Sequence, residues 1–215
     1  MKITKYPQSA ILLDYKDKKI LIDPGKYCYR NNFSANDWGK IDILLITHEH
    51  ADHCLPEAIK VIKENNPELV LLSNKSVQSI LLKERIESDA LELDDTKNVN
   101  GIEITGIKSV HGDMPNGKHK PEVTGFLIDN KVYHPGDTVY MKDKPSAEIV
   151  FVPISGVVVM NPEEAAQFAT EVRAKIAVPI HYDNPDYPVQ VLDFQRAMGD
   201  GAIVLANGES VEVEE

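Results

Sequence analysis

The sequence predicts an α/β fold (α+β in some schemes), in which short strands form sheets that carry helices on their outer faces. Short apolar runs dominate the first half of the 215-residue chain, and strands and helices are mixed later in the chain. Several of these apolar runs end directly in His or Asp. The chain contains no internal repeat and no Ser/Gly-rich linker, so we expect a single domain over residues 1–215.

The predicted strands are short apolar runs that polar turns separate. The first two flank the polar turn at residues 16–18, which indicates a hairpin. The run at 102–110 spaces its isoleucines unevenly, as a strand with a bulge would. The predicted strands span residues 9–15, 19–23, 41–47, 69–73, 102–110, 123–128, 131–133, 149–153 and 176–180, with two more short strands closing the chain.

Four segments are predicted to be helices, and those at 56–65 and 74–86 have the apolar spacing of amphipathic helices. One begins at Pro56, because proline suits the first helical turn. Another begins at Asn161, an N-cap residue that a proline and two glutamates follow, and these carboxylates interact favourably with the helix dipole. The predicted helices span residues 56–65, 74–86, 161–173 and 189–198.

Composition and charge exclude several classes of protein. No apolar run is long enough to cross a bilayer, and the first residues lack the apolar region of a signal peptide, so we expect a cytoplasmic protein without membrane contact. The two cysteines, Cys28 and Cys54, are too few for a disulfide framework or a thiolate zinc cluster, so any metal must use histidines and carboxylates. The net charge of −11 disfavours nucleic acid as a partner and leaves a small-molecule substrate. A homo-oligomer remains an open alternative.

Three histidines and one aspartate lie within residues 48–53, directly after the predicted strand at 41–47. His48 and His50 are two residues apart at a strand end, so their side chains project to the same face and can bind one ion. His111 is the best third ligand, and three histidines leave one metal position open for water. Burying so many titratable groups without a metal would be costly, so a metal site is favoured over a structural explanation.

A second ion can be held beside the first. Asp52 and His53 lie where the chain turns and can bind this ion together with His181, while Asp137 could bridge the pair. Two divalent ions roughly 3.5 to 4 Å apart can share a hydroxide that is nucleophilic near neutral pH. Taken singly, His111, Asp137 and His181 could equally be structural residues. The predicted metal ligands are His48, His50, Asp52, His53, His111, Asp137 and His181.

Four other chemically capable residues have simpler explanations. His134, at a strand end, and His119, in a basic loop, both fit ordinary structural roles. Asp23 either caps a turn or orients a ligand histidine from behind. Cys54 is expected to be a packed thiol rather than a ligand.

The spacing H-x-H-x-D-H at residues 48–53 resembles the hallmark of the metallo-β-lactamase superfamily. The resemblance continues at residues 20–24, 136–138 and 179–182, and it is greatest to the compact L-ascorbate-6-phosphate lactonase-like branch of metal-dependent hydrolases. It implies a four-layer αββα sandwich with the metals at one edge. By matching positions, it implies that the first ion is held by His48, His50 and His111, the second by Asp52, His53 and His181, and that Asp137 bridges them.

The sequence also departs from relatives of this fold. The lactonase-like branch commonly has Gly-His near the first strand, whereas this chain has Pro7-Gln8. β-Lactamases of the common zinc class have cysteine where Asp137 falls, so antibiotic hydrolysis is disfavoured. The chain has no room for the inserted domain of the nuclease branch, and it shows no flavin-binding module of the diiron redox branch.

These observations predict a binuclear hydrolase that uses a metal-bridging hydroxide on a small anionic ester, either a phosphodiester or a lactone. Asp52 and His181 are also expected to act in catalysis, and Lys118 and Lys120 could help to bind the anion. We expect two divalent ions, zinc first, with manganese or iron as alternatives. The alternative functions on this fold are an iron-dependent sulfur dioxygenase-type oxidoreductase and an RNA-processing nuclease, and the net charge disfavours the nuclease.

Overall fold

The computed structural model describes residues 1–30, 33–184 and 187–214. The chain forms two compact units. The first comprises Met1–Leu91 and Leu205–Glu215, and the second comprises Glu92–Val204. Each unit contains one mixed sheet with helices, which confirms the predicted α/β class. Within the described ranges, no helix has both the length and the apolar character that a membrane span requires.

The elements are numbered along the chain. The strands are β1 Lys2–Lys5, β2 Ile11–Tyr15, β3 Lys18–Ile22, β4 Ile43–Ile46, β5 Val70–Ser73, β6 Asp89–Ala90, β7 Thr96–Val99, β8 Ile102–Ser109, β9 Val123–Ile128, β10 Val132–His134, β11 Ile149–Pro153, β12 Ile176–Ile180 and β13 Ser210–Glu212. The helices are α1 Lys26–Arg30, α2 Pro56–Asn65, α3 Lys75–Lys83, α4 Pro162–Val172 and α5 Val191–Met198, and two short 3₁₀ turns lie at Pro115–Gly117 and Gly199–Gly201.

The first unit contains a seven-stranded sheet in the order β13-β1-β2-β3-β4-β5-β6. In this order, neighbouring strands from β13 through β1 and β2 to β3 pair antiparallel, and neighbouring strands from β3 through β4 and β5 to β6 pair parallel. The hairpin of β2 and β3 is confirmed: Lys16 and Asp17 connect the two strands, and both have positive φ values, 50° and 59°. A two-residue loop with this backbone matches the twist of antiparallel strands.

β4 carries the chain to the histidine and aspartate cluster. All four of its residues are fully buried, as a strand in the middle of a sheet should be. Leu44 and Ile46 point to one face because side chains alternate along a strand, and there they pack with Ile59 of α2 and Leu81 of α3. The neighbours β3 and β5 run parallel to β4, so the segment that follows Ile46 leaves the sheet at the carboxyl ends of three strands.

The second unit contains a six-stranded sheet in the order β12-β11-β10-β9-β8-β7. β7 to β10 pair antiparallel, and β10 to β12 pair parallel. Phe168 of α4 and Phe194 of α5 pack in one core cluster with Val150 and Val152 of β11. The parallel strands β11 and β12 are thereby covered by helices, as parallel strands generally are.

The structure adds elements that the sequence did not predict. These are β1, β6, β7 and the five-residue helix α1, and a single strand, β13, closes the chain in place of the two expected. β6 has two residues and β7 has the polar sequence Thr-Lys-Asn-Val, so neither carries an apolar pattern. Such short strands form because a neighbouring strand pairs with them.

The predicted bulge in β8 is wrong. β8 and β9 pair in one continuous register from Ile104 opposite Ile128 to Ser109 opposite Val123. The isoleucine spacing is uneven because Gly106 takes the inward position that an isoleucine would occupy. A Cβ on Gly106 would lie 2.1 Å from the Glu92 carbonyl oxygen, so no larger residue fits there.

Candidate metal centre

In the first unit, the predicted ligands His48, His50, Asp52 and His53 all lie in the turn that follows β4. The His53 and Cys54 amides both donate to the His50 carbonyl oxygen, at 2.9 and 2.8 Å, which folds the segment back on itself. The rings of His48 and His53 are 4.0 Å apart between centroids, and those of His48 and His50 are 4.8 Å apart. Three imidazoles are therefore grouped at the carboxyl edge of this sheet.

Asp23, which directly follows β3, holds two of these histidines from behind. Its Oδ2 accepts hydrogen bonds from His53 Nδ1 at 2.7 Å and from the Thr47 hydroxyl at 2.6 Å, and its Oδ1 accepts from the Thr47 amide at 2.8 Å. Thr47 Oγ1 also lies 3.0 Å from His48 Nδ1. Because the Thr47 hydroxyl donates its proton to Asp23, its oxygen accepts from His48 Nδ1. Of the two explanations for Asp23, orientation of ligand histidines is the one that these contacts favour.

Asp52 is fixed through both its backbone and its side chain. A Cβ on Gly25 would lie 1.9 Å from the Asp52 carbonyl carbon and oxygen, so glycine is required for this close approach. The side-chain amide of Gln8 donates to Asp52 Oδ2 at 3.3 Å. The same oxygen lies 3.9 Å from His53 Nε2.

The remaining acidic residue of the motif, Glu49, is engaged by α3. The Ser76 hydroxyl donates to Glu49 Oε2 at 2.6 Å. Asn74, the N-cap of α3, donates from its side-chain nitrogen to the Thr47 carbonyl oxygen at 3.1 Å. These contacts attach the ligand-bearing turn to the start of the helix.

In the second unit, His111, Asp137 and His181 come together, although 26 and 44 residues of chain separate successive members. Asp137 Oδ2 lies 3.7 Å from His111 Nε2 and 3.2 Å from His181 Nε2. All three side chains are almost fully buried. Each follows a strand of this sheet, as the sequence predicted: β8, β10 and β12.

The Nδ1 atoms of His111 and His181 also contact protein groups. His111 Nδ1 donates to the Gly112 carbonyl oxygen at 2.8 Å, and His181 Nδ1 lies 3.2 Å from the Ser155 hydroxyl. Across both units, four ligand candidates (His48, His53, His111 and His181) thus hold Nδ1 against a protein group. This is the usual arrangement of metal-binding histidines, in which the second ring nitrogen fixes the tautomer and Nε2 is the nitrogen that binds the ion. The donor set therefore fits a divalent metal.

Other residues behave as expected from the sequence. His134 is buried and accepts a hydrogen bond from the Gly136 amide at 3.2 Å, with its ring 5.6 Å from that of Phe151, and these contacts fit the structural role expected for it. His119 is exposed. Burial, followed by the nearby acidic groups, raises the pKa of the Cys54 thiol to about 12, which keeps it protonated.

A cleft of about 390 Å³ lies beside His111 in the second unit. Its lining includes the apolar side chains of Leu93, Val110, Pro121 and Val123, the cations Lys108 and Lys120, and the acidic residues Glu92 and Glu122. Of the two lysines that the sequence suggested, only Lys120 lines it, and its Nζ also pairs with Asp113 Oδ1 at 2.5 Å. This ion pair lowers the pKa of the Asp113 carboxyl group.

The sequence assigned no role to several residues around the ligands. Gln8, Thr47, Asn74 and Ser155 contact predicted ligands or the turn that carries them, and Lys108 lines the cleft. Thr47 precedes the histidine motif directly, and this adjacency was the only signal that could have drawn attention to it.

Comparison with known proteins gives the class to which this fold and donor set belong. A family model described as "Beta-lactamase superfamily domain" matches residues 2–181. The UPF0173 metal-dependent hydrolase Ta0764 of Thermoplasma acidophilum is 32% identical over 155 residues, which is 68% of each chain. Among solved structures, the metallo hydrolase Igni18 of Ignicoccus hospitalis has a TM-score of 0.80 at 21% identity, over 100% of this chain and 98% of that one. The metallo-beta-lactamase fold protein YhfI of Bacillus subtilis has a TM-score of 0.70 at 18% identity, over 98% of both chains.

The protein therefore has the metallo-β-lactamase fold, as the motif at residues 48–53 implied. The chain belongs to the beta-lactamase superfamily, among its metal-dependent hydrolases.

Proposed function

We propose that this protein is a binuclear hydrolase of small anionic esters, either phosphodiesters or lactones, and that it acts in the cytoplasm. His48, His50 and His111 would hold one divalent ion, Asp52, His53 and His181 the other, and Asp137 would bridge them. Zinc is the first expectation for both ions, with manganese or iron as alternatives.

The observation that carries this proposal is the way in which the histidines are held. Asp23 and Thr47 hold the Nδ1 atoms of His53 and His48, and a backbone carbonyl holds that of His111. Rings anchored in this way bind a metal through Nε2 with little further loss of conformational freedom. A purely structural cluster would not need this common orientation.

Two divalent ions would supply Lewis-acid polarisation of the ester and an activated water at neutral pH. The protein's own contribution is to place acidic oxygens beside the imidazoles. Asp137 Oδ2 lies close to Nε2 of both His111 and His181. The Asp52 side chain is 18% exposed, so its carboxylate remains accessible to accept a proton during hydrolysis. On this basis we propose Asp52 and His181 as residues that also take part in catalysis.

The cleft beside His111 supports a small substrate. Its volume, about 390 Å³, is in the usual range of small-molecule sites. Lys108 and Lys120 are the groups in its lining that could bind an anion, while Val110 and Val123 offer apolar contact. These two lysines beside a ligand histidine are the basis for proposing an anionic ester, while Glu92 and Glu122 line the same cleft and Lys120 also pairs with Asp113.

The test is elemental analysis of the protein as purified, followed by hydrolysis assays on phosphodiesters, phosphomonoesters, lactones and thioesters. We expect two zinc or manganese ions per chain and turnover of a phosphodiester or lactone. His50→Ala and Asp137→Ala should each reduce kcat/KM at least 100-fold, because each removes a ligand. Lys108→Met and Lys120→Met should chiefly raise KM.

His119→Ala is the matched control, since it removes an exposed histidine and should leave activity unchanged. Full activity in metal-loaded His50→Ala or Asp137→Ala protein would contradict the proposal. A single iron together with oxygen consumption on persulfides would favour the dioxygenase instead, and cleavage of RNA would favour the nuclease.

A further inference from the structure

Gln8 has a backbone conformation that is unusual for its residue type. It lies in the tight turn between β1 and β2, where the Ala10 amide donates to the Pro7 carbonyl oxygen at 3.4 Å and the Tyr6 amide to the Ala10 carbonyl oxygen at 2.8 Å. Its φ is 64°, in the left-handed region. Turns of this kind favour Gly, which has no Cβ to clash with the following carbonyl oxygen, or Asn and Asp, whose short polar side chains can form local hydrogen bonds. A strained backbone that persists in a fold is a reason to look for a function.

The side chain of Gln8 is directed to one of the proposed metal ligands. The residue is only 1% exposed, and its amide nitrogen Nε2 donates to Asp52 Oδ2 at 3.3 Å. Gly25 already fixes the Asp52 backbone by close contact. The hydrogen bond from Gln8 contacts the carboxylate, which is the part of Asp52 that would bind an ion.

We propose that Gln8 is a positioning residue for Asp52, whose carboxylate it orients for the ion that Asp52 binds. This inference rests on the proposed function, in which Asp52 is a metal ligand. An amide is suited to the task because it donates a hydrogen bond at every pH and, unlike an imidazole, carries no proton that titrates near neutrality. Gln8 would serve in this chain at the position where the lactonase-like branch commonly has Gly-His.

Two variants separate the hydrogen bond from the fold of the turn. Gln8→Asn keeps an amide and adopts positive φ more readily, but it is one methylene shorter and cannot span the distance to Asp52. Gln8→Met keeps the length and lacks the N–H donor. Zn²⁺ is titrated into each full-length protein in competition with a chromophoric chelator, and Co²⁺ absorption spectra report the ligand geometry.

We expect two Zn²⁺ binding steps in the wild-type protein. Both Gln8 variants should weaken one step about 10-fold or more, leave the other step unchanged and alter the Co²⁺ spectrum, since outer hydrogen bonds typically contribute this much to metal affinity. Gln8→Asn should be at least as heat-stable as the wild type in the metal-free form. Gln167→Met, the same kind of exchange on the surface of α4, should leave both steps unchanged.

The outcomes distinguish this inference from the proposed function. If the wild-type protein binds no Zn²⁺, the proposed function fails and this inference fails with it. If the wild type binds two ions and both Gln8 variants bind them equally well, only the role of Gln8 is overturned. Weakened binding in Gln8→Met but not in Gln8→Asn would also overturn it, because only the packing of the turn would then matter.

Discussion

At the scale of single residues, Asp23 accepts three hydrogen bonds behind the candidate ligands. Its carboxylate accepts hydrogen bonds from the Thr47 amide, the Thr47 hydroxyl and His53 Nδ1, and Thr47 extends this chain to His48. Its φ of 48° is a conformation that Asp and Asn tolerate better than most residues. One aspartate thus orients a histidine from each of the two proposed ligand sets.

We predict that Asp23→Asn lowers the affinity for Zn²⁺ by 10- to 100-fold with little change in the folded structure. Asparagine has the same size and tolerates the same backbone conformation. Its side chain has only one oxygen that accepts hydrogen bonds, whereas both carboxylate oxygens of Asp23 accept them. The measurement is Zn²⁺ affinity by chelator competition, with circular dichroism to check the fold. Thr47→Val should weaken binding in the same direction and Thr47→Ser should not, because serine keeps the hydroxyl. Unchanged affinity in Asp23→Asn would show that the histidines need no such support.

At the scale of elements, α4 has a complete start signal. The Asn161 side chain accepts from the Glu164 amide at 2.9 Å, and the Glu164 side chain accepts from the Asn161 amide at 3.0 Å. This reciprocal pair is a capping box, and the proline after Asn161 fits the first turn. The sequence predicted this cap, and the structure confirms it.

We predict that Asn161→Ala lowers the free energy of unfolding by about 1 kcal/mol, which is typical for loss of an N-cap. Urea denaturation at pH 7 measures it. Asn161→Asp is the matched variant and should be nearly neutral, because aspartate is an equally good cap. A loss in Asn161→Asp as large as that in Asn161→Ala would contradict a capping role.

The end of α4 is attached to the segment after β10 through Glu171. Lys144 Nζ lies 2.5 Å from Glu171 Oε2, and the Tyr140 hydroxyl donates to the same carboxylate. The hydrogen bond from Lys144, followed by those from Gln167 and Tyr140, lowers the pKa of Glu171 from 4.5 to about 2. A depressed carboxyl pKa contributes stability that is present above pH 4.5 and is lost as the pH falls through about 2.

We therefore predict that Glu171→Gln is less stable than the wild type at pH 7, and that the difference shrinks as the pH falls from 4.5 towards 2. Urea midpoints at pH 7, 5 and 3 measure this change. In a Lys144→Met background, Glu171→Gln should have a much smaller effect, because its main partner is gone. A difference that is independent of pH would contradict the ion pair as its cause.

At the scale of the whole molecule, the proposed ligands come from both compact units, with four in the first and three in the second. In the first unit Asp52 Oδ2 lies 3.9 Å from His53 Nε2, and in the second Asp137 Oδ2 lies 3.7 Å from His111 Nε2 and 3.2 Å from His181 Nε2. Ions that bind the folded chain and not the unfolded one stabilise it by mass action.

We predict that removal of metal by a chelator lowers the Tm by about 5 to 10 °C. Saturation at 100 times Kd contributes about 2.7 kcal/mol, and each kcal/mol shifts the Tm of a chain of this size by about 2 to 4 °C. Differential scanning calorimetry with and without added Zn²⁺ measures the shift. His119→Ala should respond as the wild type does, whereas His50→Ala should respond less. Identical melting curves with and without metal would contradict tight binding.

The sequence by itself determined the α/β class, most of the longer elements and the candidate ligands. These features are local: the apolar runs of β4, β9, β11 and β12 mark buried strands, and the motif at residues 48–53 is complete within six positions. The short elements β6, β7 and α1 left no such pattern, because pairing and packing with neighbouring segments define them. The same local spacing resembles the hallmark of the metallo-β-lactamase superfamily, and the family model over residues 2–181 confirms this resemblance.

Only the tertiary structure decided which groups support the ligands. Asp23 meets His53 across 30 residues, and Gln8 meets Asp52 across 44. Neither contact has a sequence pattern, because it depends on which strands lie side by side and on positive φ values at Asp23 and Gln8. Lys108 rather than Lys118 lines the cleft for the same reason: β8 carries it beside His111. A sequence specifies the kinds of side chain that can bind a metal, but hydrogen bonds of about 3 Å between distant residues require the strand order and backbone angles of the folded chain.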